Sequence, residues 1–353
     1  MNTNEKTIEM IMALADAPGA AGFEDEVAAL ARQYAEGIGP VEEDFLRNVY
    51  IHRKENTGNR PVVMLDAHSD EVGFMVHSIK PNGTLRFVAL GMWNKNTLAS
   101  AKVLVRNADG KYIPGIIGSK PVHFGDQGSN ISDMAIDIGA VSAQDAVENF
   151  HIRIGEPVVP AVKSEYDAEH GIIFGKAFDC RIGCAVILEA LRRLEGKELP
   201  CDVVGVLAVQ EELGARGCKI AVNRVKPDAA IVVEGCPADD TFSDAVSQSG
   251  LRKGTMFRHM DASIVCAPRL QRFALNLAAQ RGIPVQEAVR EAGGNDGAVI
   301  QSTGIGAPAI VASVPVRYIH SMNCLFALED FETTVQMVMA LLESITPEVI
   351  ASL

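Results

Sequence analysis

The sequence contains few aromatic residues, which make up 5% of its 353 positions, and Trp occurs only once. A core with so few rings must be built mainly from Ala, Val, Ile and Leu, and the hydrophobic fraction of 48% is sufficient for one. This length and composition are typical of a packed globular protein with two domains, or with one large domain that carries an insertion.

Basic residues are outnumbered by acidic ones. The chain has 32 Lys and Arg residues against 45 Asp and Glu residues, which gives a formal net charge of −13. A negative surface repels the phosphate backbone of nucleic acids and the head groups of anionic lipids. We therefore expect neither nucleic-acid nor membrane partners.

Long apolar runs are also lacking, because none approaches the length needed to cross a bilayer. The first residues, MNTNEKTIEMIM, alternate charged and apolar side chains in a helical rhythm. They lack the basic start and the continuous apolar segment of a signal peptide. The sequence therefore predicts a soluble, cytoplasmic protein.

The seven cysteines are scattered along the chain, and their number is odd. The spacing of Cys180 and Cys184 is compatible with a zinc-thiolate pair, but no second pair lies at the distance seen in zinc fingers. Both residues fall in a helical segment rich in Ala, Val and Leu. We expect them to be small apolar core residues rather than metal ligands.

Four apolar runs predict strands that are buried on both faces, and each run ends in polar residues. These runs are residues 61–68, 201–210, 229–234 and 307–314. Helices are predicted at residues 5–16, 23–36, 181–195, 214–223, 268–281, 295–303 and 329–345. The alternation of strands and helices indicates an α/β fold, with an open mixed sheet and helices on both faces.

Residues 73–165 have a different pattern, with short strand-like pieces such as GTLRFVAL and DMAIDIGA and few long helices. Turn signals such as Asn82-Gly83 are frequent in this stretch. The pattern predicts a small β-rich, barrel-like domain inserted into an α/β domain. The α/β domain would then comprise residues 1–72 and 166–353.

Polar residues follow the apolar runs, and chemistry in open α/β sheets gathers beyond the carboxyl ends of the strands. His68 and Asp70 end the first run and face the same side of an extended chain. An Asp that accepts from the far imidazole nitrogen fixes the tautomer of a metal-binding His, although such a pair is often only a surface hydrogen bond. Asp179 precedes a helix, where an N-cap is the simpler interpretation.

The remaining strand ends also carry acids or an imidazole. Glu211 and Glu212 stand side by side after the second run, Glu234 ends the third, and His320 lies in the loop before the last helix. Converging carboxylates repel each other unless positive charge lies between them, and imidazole with carboxylate suits Zn²⁺, Co²⁺ or Mn²⁺. We expect two ions about 3.5–4 Å apart that share one carboxylate and activate a bridging water, with one acid left unligated as general base.

Five strings, AHSDEVGFMV, FDCRIGC, QEELGARG, IVVEG and SVPVRYIHS, carry a family resemblance in their order and spacing. The sequence resembles the dinuclear metallo-aminopeptidases. The branch contains the glutamyl aminopeptidases, the deblocking aminopeptidases and the tetrahedral TET peptidases, some of which carry an endoglucanase label. The similarity runs from about residue 8 to 345, and GIIGSKPVHF and DIGAVSAQDAVENFHIRIGEPVV extend it through the insertion. It implies a zinc-peptidase-like fold and the hydrolysis of N-terminal residues from peptides.

The resemblance also implies a role for each candidate site residue. Glu211 is the general base that takes a proton from the water and returns it to the leaving amine. Asp70 orients the imidazole of His68. Asp179 bridges the two ions, of which the first is completed by His68 and Glu234 and the second by Glu212 and His320.

In this family the inserted β domain drives dimerisation, and dimers often build a hollow tetrahedral dodecamer. The resemblance therefore implies a homodimer that assembles into a homododecamer. His123, in the string KPVHF, could reach a neighbouring active site, but a simple loop residue is the favoured interpretation.

Some positions depart from the family pattern. Glu234 stands where many relatives have Asp, and Cys324 lies near the place of a family acid that follows the string HS. Residues 247–265 and 293–300 depart from the usual substrate-pocket pattern, so the substrate preference stays open. Four basic residues either attract an acidic substrate side chain or are solvated loop charges: Arg252, Lys253, Arg258 and His259.

Other functions are compatible with part of the pattern. A related metallo-carboxypeptidase or amidase shares the two-metal sheet. The string AHSDEVG, however, fits the aminopeptidase branch better than it fits the H-x-D-x-V-P motif of the carboxypeptidases. A non-catalytic scaffold would keep the fold, but it has no need for an unligated acid such as Glu211. A metal-free glycosidase pair fits these crowded acids poorly.

Overall fold

A computed structural model of the chain describes residues 5–118, 123, 130–242 and 246–353. The helices in these ranges are α1 Glu5–Asp16, α2 Asp25–Tyr34, α3 Ala143–Glu148, α4 Phe178–Arg193, α5 Arg216–Val225, α6 Pro268–Arg281, α7 Gly297–Ser302, α8 Leu328–Ser344 and α9 Pro347–Ala351. The strands are β1 Val41–Glu43, β2 Val49–His52, β3 Val62–His68, β4 Gly73–Ile79, β5 Leu85–Leu90, β6 Lys102–Arg106, β7 Tyr112–Ile117, β8 Ile136–Asp137, β9 Pro157–Pro160, β10 Glu165–Asp167, β11 Ile172–Gly175, β12 Asp202–Ala208, β13 Ala229–Pro237, β14 Thr255–Met260, β15 Val285–Val289, β16 Ala309–Val316 and β17 Cys324–Ala327.

The main sheet has eight strands in the order β1-β2-β12-β3-β13-β16-β14-β15. Its centre is parallel, because β12, β3, β13 and β16 pair with one another in the same direction. β2 and β14 flank this centre in antiparallel pairing. The four central strands are those that the apolar runs predict, and their carboxyl ends meet at one edge. The predicted open mixed sheet is confirmed.

The two faces of the main sheet are covered by different helices, because alternate strand residues point to opposite faces. Val63 and Leu65 of β3 pack with residues of α1, α2, α4, α6 and α8. Met64 packs on the other face with residues of α5 and α7. Within the described residues, no helix combines the length and the apolar character needed to cross a membrane.

Six strands close into an antiparallel barrel in the order β4-β5-β8-β7-β6-β9. Buried apolar side chains such as Phe74, Val105 and Ile117 fill its interior. The predicted inserted barrel is therefore present, whereas the boundaries at 72/73 and 165/166 stay predictions. The motif GIIGSKPVHF continues into residues 119–122 and 124, which lie outside the described residues; His123 itself is exposed.

The strands at the two ends of the main sheet are the part that the sequence patterns do not reveal. β14 contains Arg258 and His259, and β15 reads VQEAV, so neither forms a continuous apolar run. β15 is the edge strand, and most of its residues are exposed or half-buried. β14 lies between β16 and β15 and is buried over its first four residues, but its polar side chains interrupt the apolar pattern. The helices are better predicted, because α1 and α6 have the predicted bounds and the other predicted helices differ at their ends only by a few residues.

A buried ionic network connects the end of α1 and the turn after it to residues beside the main sheet. The Lys176 ammonium lies 2.5 and 2.7 Å from the two carboxylate oxygens of Glu71, and both residues are almost fully buried. Glu71 also accepts a hydrogen bond from the Gly19 N–H at 3.2 Å. The Arg181 guanidinium donates to the carbonyls of Leu14, Ala17 and Gly19 at the end of α1. The network lies beside Asp70 and Asp179 in the sequence, so it fixes the backbone that carries both.

Lys176→Met should destabilise the protein by about 3–5 kcal/mol, because it leaves the buried Glu71 carboxylate without a counter-charge. Urea unfolding followed by circular dichroism measures this loss. Lys163→Met is the matched control, since Lys163 pairs with Asp16 but is 80% exposed. The control should lose less than about 1 kcal/mol. Equal stabilities of the two variants would contradict the assigned importance of the network.

Candidate metal centre

A cavity of about 540 Å³ opens at the edge where the central parallel strands end. Parallel strands bring their carboxyl ends to one edge, so the polar residues that follow them converge there. The lining includes all the predicted site residues except Asp70, which is fully buried beside it. The lining residues are His68, Met92, Asp179, Glu211, Glu212, Glu234, Gly235, Pro237, Arg258, Arg290, Ala292, Gly293, Gly294, Ile319 and His320.

His68 is the last residue of β3 and is 2% exposed. Its Nδ1 lies 3.2 Å from the Asp70 carbonyl oxygen and 3.4 Å from Asp70 Oδ1. An Nδ1–H that donates to Asp70 leaves Nε2 as the lone-pair nitrogen, which is the arrangement of a metal-ligating imidazole. Nε2 faces Asp179 Oδ1 at 3.1 Å.

Asp179 breaks the helical geometry near the start of α4, with φ −86° and ψ 102°. The backbone of α4 can approach β13 here because Gly183 has no side chain, and a Cβ at that position would lie 2.1 Å from the Val233 carbonyl oxygen. The Asp179 carboxylate points to the imidazoles rather than to the helix N–H groups. The N-cap interpretation of Asp179 is therefore wrong.

His320 and Glu212 lie on the other side of Asp179. His320 Nε2 is 3.1 Å from Asp179 Oδ2 and 3.4 Å from Glu212 Oε1. His320 Nδ1 lies 2.8 Å from the carbonyl oxygen of Met92, which belongs to the chain between β5 and β6 of the barrel. Gly91 makes this approach possible, because its φ is +83° and a Cβ there would lie 2.9 Å from Glu212 Oε2. The barrel thus helps to orient an imidazole of the site.

Glu234 lies within β13 and is 5% exposed. Its Oε2 is 3.9 Å from His68 Nε2. Single donor atoms of His68, Asp179, Glu234 and Cys180 lie within 4.8 Å of one another, and so do those of Asp179, Glu212 and His320. The structure therefore brings the five predicted ligands into two overlapping groups that share Asp179.

Glu211 precedes Glu212 in a short 3-10 helix, residues 211–213, that follows β12. Its donor atoms approach those of His68 and Glu212 within 4.8 Å, but Glu211 is not part of either group that contains Asp179. Burial raises the pKa of Glu211 above its ordinary value. A carboxylate beside the ligand groups with a raised pKa suits a general base.

The buried carboxylates of the site need nearby positive charge to stay ionised. Burial raises the pKa of Glu212 to about 8, with the Asp179 charge adding to the effect, and burial also raises that of Glu234. For Asp179 burial acts in the same direction, but hydrogen bonds from His320 and His68 outweigh it and lower the pKa. Three carboxylates and two imidazole nitrogens that face one another form a donor set suited to divalent cations. The residues present fit bound metal.

Other sequence expectations have mixed outcomes. All seven cysteines are buried and free, as core residues should be. Cys180 donates to the Val233 carbonyl at 3.0 Å, yet its thiol also lies beside the His68 group.

Arg258 is buried, pairs with Asp261 at 2.8 Å and lines the cavity, so it is not a solvated loop charge. Arg252 and His259 instead pair with the exposed acids Glu329 and Glu287, outside the cavity lining.

A second acidic group near the site is missed by the sequence reasoning. Asp66 and Asp296 are buried, and their carboxylates lie within 4.8 Å of each other and of the Cys218 thiol. Burial raises the pKa of Asp66 to about 7, and Glu211 adds to the effect. Asp66 precedes His68 by two positions, so strand alternation could have placed both side chains on one face. No local signal in the sequence points to its partner Asp296.

Comparisons with known proteins agree with this geometry. The profile of a family described as M42 glutamyl aminopeptidase matches residues 48–337. A glutamyl aminopeptidase of Lactococcus lactis is 33% identical over 353 residues, 98% of each chain. A lysyl aminopeptidase of Pyrococcus furiosus is 32% identical over 357 residues, which cover 96% of this chain and 97% of the relative.

Solved structures of similar fold extend over almost the whole chain. A TET aminopeptidase from a marine sediment thaumarchaeon has a TM-score of 0.94 and 35% identity, with 99% of each chain covered. The Pyrococcus horikoshii TET1 peptidase has a TM-score of 0.86 and 26% identity, covering 96% of this chain and 100% of its own. That peptidase is described as assembling into a tetrahedron or a large octahedral shell.

An α/β sheet whose carboxyl edge presents carboxylates and imidazoles around one cavity defines a metal-dependent hydrolase. With the matching profile and relatives, the hydrolase is a metallo-aminopeptidase. The chain belongs to the M42 family of glutamyl aminopeptidases. It hydrolyses N-terminal residues from peptides.

Dialysis against a chelator should abolish peptide hydrolysis and lower the midpoint of thermal unfolding, because the buried carboxylates lose their counter-charge. Activity and midpoint should both return when a divalent metal is added back, with metal content followed by mass spectrometry. His320→Ala should bind less metal than the wild type. His170→Ala, which removes an exposed imidazole paired with Asp167, should bind as much. Full activity of metal-free protein would contradict the prediction.

Proposed function

We propose that the protein removes N-terminal residues from peptides with two divalent ions, Zn²⁺, Co²⁺ or Mn²⁺. His68, Glu234 and one oxygen of Asp179 would hold the first ion. Glu212, His320 and the other Asp179 oxygen would hold the second. The observation that carries this proposal is the position of Asp179, whose Oδ1 and Oδ2 each lie 3.1 Å from the Nε2 of a different imidazole.

The ions, when bound, would supply Lewis acidity and would lower the pKa of the attacking water. Glu211 would accept the proton of that water as the new C–O bond forms. When the C–N bond breaks, Glu211 would return the proton to the leaving amine, so that the carboxylate is regenerated. Asp70 would keep the His68 imidazole in the tautomer that presents Nε2.

Glu211→Gln should retain metal but lose activity by about 10²–10⁴-fold in kcat, because the amide cannot accept the proton. Aminoacyl p-nitroanilides serve as substrates, and mass spectrometry measures the metal content of each variant. Glu287→Gln is the control, since it changes an exposed Glu that pairs with His259. A Glu211→Gln variant at wild-type rate would remove Glu211 from the mechanism, and no release by the wild type with any metal would favour a scaffold.

The charges of the cavity bear on the preferred first residue of the peptide. Apart from the acids of the metal centre, the charged residues that line the cavity are Arg258 and Arg290. Arg290 pairs with Asp239 at 2.7 Å and donates to the Pro237 carbonyl at 3.2 Å. An acidic side chain that enters here can accept hydrogen bonds from two guanidinium groups, whereas a lysine ammonium offers them no acceptor. We infer a preference for an N-terminal Glu or Asp.

Arg290→Met should lower kcat/KM for Glu-p-nitroanilide relative to Leu-p-nitroanilide by about tenfold or more, the scale of one hydrogen bond to a charged group. The variant keeps an unbranched side chain of similar apolar character near the backbone and removes the guanidinium group, with its charge and its donors, including the donor to Asp239. Arg281→Met, at an exposed position that pairs with Glu343, is the matched control. A wild-type enzyme that prefers Leu or Lys substrates over Glu would overturn the inferred preference.

The assembly is also part of the proposal. The Pyrococcus horikoshii TET1 peptidase can assemble into a tetrahedron or a large octahedral shell, and the inserted domain here exposes large apolar side chains. They include Val88, Ile116, Val141 and Ile154. Burial of such residues against a second copy favours a homodimer formed through the barrel, with a homododecamer as the complete assembly. The native mass relative to the 37.8 kDa subunit distinguishes these states.

A further inference from the structure

The backbone that carries Glu211 and Glu212 forms a strained turn. Gln210 has a φ of 56° and Ala215 a φ of 53°, which is the left-handed region that non-glycine residues rarely occupy. Such a conformation persists only where the surroundings over-determine it. The turn therefore needs side-chain contacts that hold its backbone in this conformation.

Three consecutive N–H groups of this turn donate to buried carboxylates. The N–H groups of Glu211 and Glu212 donate to Asp70 Oδ1 and Oδ2 at 2.9 and 3.1 Å. The Gln210 N–H donates to Glu24 Oε1 at 3.1 Å. Asp70 thus holds the two acids directly, and Glu24 holds the left-handed residue from which they project.

Glu24 comes from a distant part of the chain, the turn between α1 and α2, and is 1% exposed. It occupies the N-cap position of α2, but its side chain does not cap that helix. Its Oε1 instead accepts from the Gly22 N–H at 2.8 Å as well as from Gln210. One carboxylate oxygen thus joins the turn at Gly22 to the turn that bears the proposed base.

We propose that Glu24 is a positioning residue for Glu211, acting through the backbone of Gln210. This inference rests on the proposed role of Glu211 as general base. Without the acceptor at Glu24, the half-buried Gln210 N–H loses its protein partner, and the left-handed turn relaxes. The Glu211 side chain then shifts relative to the metal ligands, although Asp70 still accepts from the N–H groups of Glu211 and Glu212.

A matched pair of variants separates hydrogen bonding from charge. Glu24→Ala removes the acceptor, whereas Glu24→Gln keeps an Oε1 in the same place. Burial, with the nearby Asp70 charge adding to the effect, raises the pKa of Glu24 to about 8, so a neutral amide is a close substitute for this carboxyl. Asp25→Ala is the control, because it removes the neighbouring acid, which is exposed and pairs with Arg47.

Glu24→Ala should lower kcat by about 10- to 100-fold, the scale of a sub-ångström to ångström displacement of a catalytic group. Its KM should stay within about twofold of the wild type, and its bound metal should be unchanged. Glu24→Gln should restore most of the lost kcat. Hydrogen exchange at the Gln210 amide, measured by mass spectrometry without substrate, should be faster in Glu24→Ala than in the wild type.

Each alternative result overturns the proposal. Wild-type kcat in Glu24→Ala, equal losses in Glu24→Gln and Glu24→Ala, or loss of metal along with kcat would each exclude a positioning role through the backbone. If Glu24→Ala does not fold, Glu24→Gln decides alone, since a kcat far below that of the wild type contradicts the acceptor role. Glu211→Gln in the same assay separates the two hypotheses, because its full activity would refute the base itself, whatever Glu24 does.

Discussion

The arrangement of the site depends on one carboxylate, that of Asp179, which lies between two imidazoles with one oxygen toward each. Around it, Glu212 and Glu234 occupy positions where burial raises the pKa of both. Such a cluster is costly without compensating positive charge, because each ionised carboxylate has lost most of its hydration. Divalent cations supply that charge, so the architecture of the cavity is that of a site shaped around bound metal.

The protein supports this cluster from several directions at once. The sheet aligns His68, Glu212 and Glu234 at one edge, and the barrel supplies the Met92 carbonyl that orients His320. Beneath the edge, the carboxylates of Asp70 and Glu71 connect the strand end to backbone N–H groups and to a buried lysine. Strand ends and buried polar contacts hold this donor set in its geometry before metal or substrate binds. Such preorganisation is the property that catalysis requires.

The sequence predicts the central sheet and the ligand cluster because both follow from local pattern. Apolar runs identify buried strands, and residues that follow parallel strands must share one edge. Other contacts depend on distant segments: nothing near Asp296 indicates that it meets Asp66, and nothing near Glu24 indicates that it reaches Gln210. Asp179 has the sequence context of a helix cap, and only the backbone break at the start of α4 turns it toward the imidazoles. The orientation of Arg258 into the cavity likewise depends on β14, a largely buried strand whose polar residues hide it in the sequence pattern.

The most direct measurement is a crystal structure of the metal-loaded enzyme with anomalous scattering data collected at the absorption edge of the added metal. The account predicts two anomalous peaks, one on each side of the Asp179 carboxylate. His68 and Glu234 should contact the first, His320 and Glu212 the second, and Glu211 neither. A single peak, or loaded protein in which Asp179 contacts no metal, would contradict the central claim.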